Sequence, residues 1–171
     1  MQREKIKPLS LKWITRTAIL LGITLAFQML GFPQMVTGPA VNGMLLLAGT
    51  YVGLLGAVII GMLTPFIAFI RGILAPPLGP MIPFIMLGNA LLVAMYILMR
   101  NLLGKGLKGC VAGIALGALV KFLVLSTAVK LIVSVPPPVA QPMQVPQLIT
   151  AIIGGIVAFL VEQALNSVVR I

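Results

Sequence analysis

Long apolar runs separated by short polar or proline-rich breaks dominate the chain, and their lengths match membrane spans rather than core helices. The first run is Ile14 to Phe32, with Lys12 and Arg16 at its start, Trp13 suited to a membrane–water interface, and Pro33 closing it. Gly38 to Ile70 contains no charged residue. As one helix it would be about 50 Å long at ~1.5 Å per residue, too long for a single pass. Gly49, Gly53 and Gly56 offer a break, so the pattern predicts a short span at 39–51 and another at 53–70. Pro65 should kink the latter and leave a backbone carbonyl without its helical partner. Further spans are predicted at 81–99, 109–133 and 147–169.

The expected fold is therefore an all-α membrane protein, one integral-membrane domain over residues 1–171 built as a six-transmembrane-helix bundle. Composition agrees: 60% of residues are hydrophobic and 8% charged, too few polar side chains to clothe a soluble domain of this length. The basic start resembles a signal peptide, but the first run ends in GFPQ with no small-x-small cleavage site, so it is read as a retained helix.

Charge settles the expected topology. With six spans, Arg3, Lys5, Lys7, Lys12, Arg16, Arg100, Lys105, Lys108 and Arg170 fall on one side, and only Arg71 lies in a loop on the other. Treating Gly38–Ile70 as one span would scatter these bases over both sides. The positive-inside rule favours six, with both termini cytoplasmic. GFPQMVTGPAVN (31–42) and the proline-rich stretches 71–83 and 135–146 then face outward. The net charge of +10 reflects this end-clustering; no continuous basic face with interleaved aromatics exists to bind nucleic acid.

The chemistry available is sparse. With no histidine and Cys110 as the single cysteine, neither an internal disulfide nor a metal-ligand cluster is expected, and Cys110 reads as a small packing residue. Glu4 and Glu162 are the only acids, and no Walker loop occurs. Neither an enzyme nor a cofactor is expected. What stands out is a polar set within or beside the outward half of the spans. Asn89 and Lys121 come to the same depth, about 12 Å below the outer surface at ~1.5 Å per residue. Asn42 and Arg71 sit at the outer rim, and Gln28 and Gln34 flank the outer end of the first span. Together they form a candidate solute pocket, and the excess of bases over acids favours an anionic solute. Each also has a structural reading: an interhelical hydrogen bond for Asn89, a pair with Glu162 for Lys121, snorkelling to the interface for Arg71. Ala18, Gly22 and Ala26 fall four apart on one face of the first helix, which either packs internally or docks on another membrane protein.

The basic tail, the Ala18–Gly22–Ala26 face, VTGPAVNGMLLLAG and RGILAPPLGPMIPFIMLGN give nearly the whole chain the look of a known family. The chain resembles the substrate-binding (S) components of energy-coupling factor vitamin transporters. The family's first helix carries small residues spaced by four, often both alanine; Gly22 in the middle keeps that face flat. The resemblance implies a multi-pass protein of the prokaryotic cell membrane that captures a vitamin-like solute from outside beneath outer loops. It implies that the first helix docks on a transmembrane coupling (T) subunit, and that two cytoplasmic ATPase subunits supply the energy. Family members for flat aromatic vitamins often stack the ring on Trp or Tyr. With its only Trp in the tail, this chain fits a smaller, acidic, flexible, pantothenate-like solute better. The lack of histidine argues against the nickel and cobalt branch. A non-transport scaffold, such as a rod-shape-determining protein, and a stand-alone small carrier are the competing expectations.

Overall fold

The computed structural model describes residues 7–168, and among these the chain is helical throughout, with no strand. The long helices are α1 (Leu11–Met29), α2 (Gln34–Tyr51), α3 (Gly53–Ile70), α4 (Ile82–Leu103), α5 (Leu107–Thr127) and α7 (Val145–Val168); α6 (Pro137–Ala140) is a single turn. Four helical segments are long and apolar enough to cross a bilayer: Gly53–Ile70, Pro76–Leu103, Leu107–Ile132 and Pro137–Ser167. Their outer faces are studded with exposed Leu54, Met62, Phe66, Leu87, Leu119, Leu123, Ile156 and Leu160. Water would not tolerate so much apolar surface, whereas lipid requires it. The protein is thus a multi-pass α-helical membrane protein. Helices α1 and α2 are of similar length but more polar, with Lys12, Arg16 and Gln28 in one and Gln34, Thr37, Asn42 and Thr50 in the other.

Several boundaries differ from those the sequence predicts. The stretch 31–42 is largely helical, because α2 begins at Gln34 instead of near Pro39. Pro33 caps it, and the Thr37 hydroxyl donates to the Phe32 carbonyl at 2.8 Å, so the start is held although Pro39 removes one bond a turn later. Helix α4 runs past Arg100 to Leu103, and Gly104 at φ +87° ends it. Arg100 therefore lies inside a helix instead of in a basic loop. A π-helical turn (Ala128–Ile132) extends α5. Trp13 is buried, donating from its indole nitrogen to the Val52 carbonyl at 2.8 Å, so it anchors α1 to the α2–α3 turn instead of floating at the interface. Arg3, Lys5 and Arg170 lie outside the described residues.

Consecutive long helices run up and down, giving the bundle two unlike ends. Exposed Lys7, Lys12, Arg16, Lys105 and Lys108 mark one; the proline-rich connections, with exposed Arg71 and Lys130, mark the other. At the latter, Leu78 and Met81 from the first proline-rich connection join Ala140 and Met143 from the second over Leu125 and Val129 of α5 and its extension. The two connections therefore share one apolar cap.

Small residues set how close the helices come. Helix α5 packs most extensively on α4, through Gly109, Gly113 and Gly117. A Cβ at Gly113 would stand 2.9 Å from the Tyr96 carbonyl oxygen, and one at Gly117 would stand 2.7 Å from that of Leu92. These contacts fix an antiparallel register that advances one turn at a time. The next turn brings Lys121 against Gly88, where a Cβ would be 3.2 Å from the lysine Cγ. Between α2 and α7, Gly43 meets Gly154 in the same way, a Cβ there lying 3.0 Å from the Gly154 carbonyl oxygen.

Candidate functional site

Toward the proline-rich end the helices part around a cavity of about 90 Å³. Helices α1 to α5 and α7 all contribute to its lining, and Leu74 and Met143 come from the two proline-rich connections. Its polar lining consists of Gln28, Gln34, Thr37, Asn42, Thr64, Asn89, Lys121 and Gln147.

Lys121 is the one cation in this lining and is 3% exposed. The α4–α5 register places it beside Asn89, and its ammonium donates to Asn89 Oδ1 at 2.7 Å and to Asn42 Oδ1 at 2.6 Å. Both amides are held from behind. Asn89 Nδ2 donates to the Gly61 carbonyl at 2.8 Å, and Asn42 Nδ2 to Thr150 Oγ1 at 3.5 Å. Thr150 in turn donates to the Gln147 carbonyl at 3.2 Å. The amide oxygens are thereby turned toward the ammonium.

Magnitudes explain why this lysine is tolerated. A lysine at the centre of a membrane helix costs about 2.5–3.5 kcal/mol on insertion scales. A hydrogen bond to a charged group returns about 1.5–3 kcal/mol, so two of them offset that cost. An ammonium has three hydrogens. Two have protein acceptors, and the third has none among the described residues. Among the described residues no carboxylate takes part, so the positive charge of a protonated Lys121 is solvated by dipoles and left electrically uncancelled.

Glu162 is engaged elsewhere. It forms a bidentate pair with Arg100, Nη2 to Oε1 and Nη1 to Oε2, both at 2.8 Å. Arg100 Nη1 also donates to Tyr96 Oη at 2.7 Å and Thr50 Oγ1 at 2.9 Å. The guanidinium carbon lies 5.1 Å from the Tyr96 ring centroid. This closed cluster joins α2, α4 and α7 in the half of the bundle nearer the basic end. A pair between Lys121 and Glu162 is therefore not what forms.

Of the residues expected at a pocket, Gln28, Gln34, Asn42, Asn89 and Lys121 line this cavity, while Arg71 does not. Arg71 is exposed at the C-cap of α3 and takes no part in the lining. Thr37, Thr64, Gln147 and Thr150 belong to the site or its support and were not singled out from the sequence. Thr150 carried a usable signal, as a hydroxyl near the outer end of an apolar run. Ala18, Gly22 and Ala26 are all exposed on α1, and a Cβ added to Gly22 meets no atom within 4 Å. Internal packing thus does not account for that face. Among the described residues no group of three His, Cys, Asp or Glu gathers to hold a metal ion.

Fold and site together define a multi-pass membrane protein with a buried, dipole-solvated ammonium beneath a polar cavity. A scan against protein-family models and searches of curated proteins and solved structures return no match to this chain.

Proposed function

We propose that this chain is the solute-binding subunit of an energy-coupling factor type importer, taking a small anionic, vitamin-like solute from outside the cell. The observation that carries this reading is the Lys121 ammonium, buried at the cavity with amide oxygens as its only partners among the described residues. A structural lysine is normally cancelled by a carboxylate, as Arg100 is here. A charge solvated but not cancelled is suited to a ligand that supplies the negative charge itself. The third ammonium hydrogen would meet a carboxylate, and the glutamine amides and Thr37 hydroxyl around it would meet the solute's other polar groups.

The six-span topology, with both termini in the cytoplasm of a prokaryotic cell, belongs to the same proposal. Its support is the clustering of exposed bases at one end and prolines at the other. In this orientation the cavity opens outward. Binding is the chain's whole task, and it has no catalytic role. Energy then comes from two ATPase subunits through a transmembrane coupling subunit. The exposed Ala18, Gly22 and Ala26 face of α1 is the proposed contact with that subunit. A stand-alone carrier is disfavoured by Leu45, Leu46, Leu92 and Val93, none of them exposed, which fill the bundle's core without a polar path.

The test is native mass spectrometry of the purified protein, with release and identification of any retained small molecule. The expected result is a retained organic anion in the wild type that is missing from Lys121→Gln. Retention of the same molecule by Lys121→Gln, or a cationic solute, would remove the carrying observation. Copurification with a coupling subunit and ATPases tests the partner half of the proposal.

A further inference from the structure

Pro65 lies inside α3 and has no N–H to give to the carbonyl one turn back, that of Gly61. Inside a membrane such a carbonyl must find another donor. It finds Asn89 Nδ2 of α4 at 2.8 Å, with the Thr64 hydroxyl at 3.5 Å as a weaker second. A carboxamide has a donor end and an acceptor end on opposite sides. Once the Asn89 nitrogen is committed to Gly61, its oxygen has to face the other way, and there it meets the Lys121 ammonium at 2.7 Å.

We infer that Pro65 is a positioning residue for Lys121, acting through the Gly61 carbonyl and the Asn89 amide. With an ordinary residue at 65, its N–H would compete for the Gly61 carbonyl, and the Asn89 amide would be held less firmly. A freely turning amide can present its NH₂ to the ammonium, which repels it. Asn42 does not duplicate this control, because its own anchor on Thr150 is longer, at 3.5 Å. Gly61 is part of the device, since a Cβ there would lie 2.9 Å from Asn89 Cβ and push α4 away. The proline thus acts from α3 on where a cation on α5 sits, through the Gly61 carbonyl and the Asn89 amide. The consequence for solute capture rests on the anion-binding reading, whereas the positioning itself is measurable without any solute.

The experiment follows the Lys121 side-chain ¹⁵N resonance in the full-length protein in detergent micelles, identified by its loss in Lys121→Gln. Pro65→Ala and Asn89→Leu are each expected to shift or broaden it. Phe66→Ala, an exposed neighbour on the same helix, is expected to leave it in place. Combining Pro65→Ala with Asn89→Leu is expected to add nothing to Asn89→Leu alone, because the first change acts through the second residue. A resonance unmoved by Pro65→Ala, or two effects that simply add, would overturn the inference. Should Pro65→Ala fail to fold, Gly61→Ala must move the same resonance through Asn89, and an unmoved signal there overturns it equally. A shifted resonance in a protein that retains no anion sustains the positioning and sinks the anion-capture reading. An unmoved resonance, with an anion lost only in Lys121→Gln, does the reverse.

Discussion

Lys121 and Arg100 are both buried between helices of the same bundle, yet Arg100 has a carboxylate and Lys121 has two amides. The difference separates structure from readiness to bind. Arg100 spends its planar fork on Glu162 and gives further bonds to Tyr96 and Thr50, so its charge is cancelled and its geometry is complete. Lys121 is solvated by dipoles that leave its charge uncancelled, and a cavity lies beside it. One cation ties helices together, while the other is held still with capacity to spare.

The largest effect should come from breaking the cancelled pair. Glu162→Ala leaves Arg100 uncompensated and should destabilise the protein by about 3–5 kcal/mol, seen as a lowered midpoint of thermal unfolding in detergent. If the two centres differ as described, Lys121→Gln should do the opposite: stability unchanged or raised, but solute affinity reduced about 10- to 100-fold, the worth of one charge-assisted hydrogen bond of ~1.5–3 kcal/mol. Equal destabilisation by both changes would erase the contrast. Converting one centre into the other sharpens it further. Asn89→Asp gives Lys121 its own carboxylate, so the fold should persist while anion retention, measured by mass spectrometry, falls at least about tenfold.

Gly117→Leu tests the register that places Lys121. It forces α5 away from the Leu92 carbonyl and should cost about 1–3 kcal/mol in thermal unfolding, with solute binding weakened as Lys121 leaves Asn89. The smallest effect is expected from Arg71→Ala. As an exposed charge outside the lining, Arg71 should alter solute affinity by less than about threefold, consistent with weak, screened surface electrostatics. A tenfold loss would bring it back as a rim residue of the site.

Much of this arrangement was legible in the residues. Small residues four apart on α5 announced a close helix contact, and counting depth along the spans put Asn89 and Lys121 level with one another. Pro65 announced a carbonyl in need of a donor. The choice of donor was not legible, because it depends on which side chain of α4 the α3–α4 packing brings near. The helical start of α2 was also hidden: Gly38 and Pro39 look like a loop locally, whereas in the bundle this turn is helical and Gly38 packs against Thr150 of α7.

The sequence by itself determined that this chain lives in lipid, because charged residues are scarce and apolar runs are long, and both properties are independent of how the helices meet. It also determined which few polar residues a buried site could use. Tertiary structure alone decided who partners whom. Glu162 was within conceivable reach of both Lys121 and Arg100, and the rotation of α7 together with the glycine-set register of α4 and α5 delivered it to Arg100. The same geometry left Lys121 with amides and a cavity. A charge's partner is a matter of a few ångströms between helices distant in sequence, and those are set only when the bundle closes.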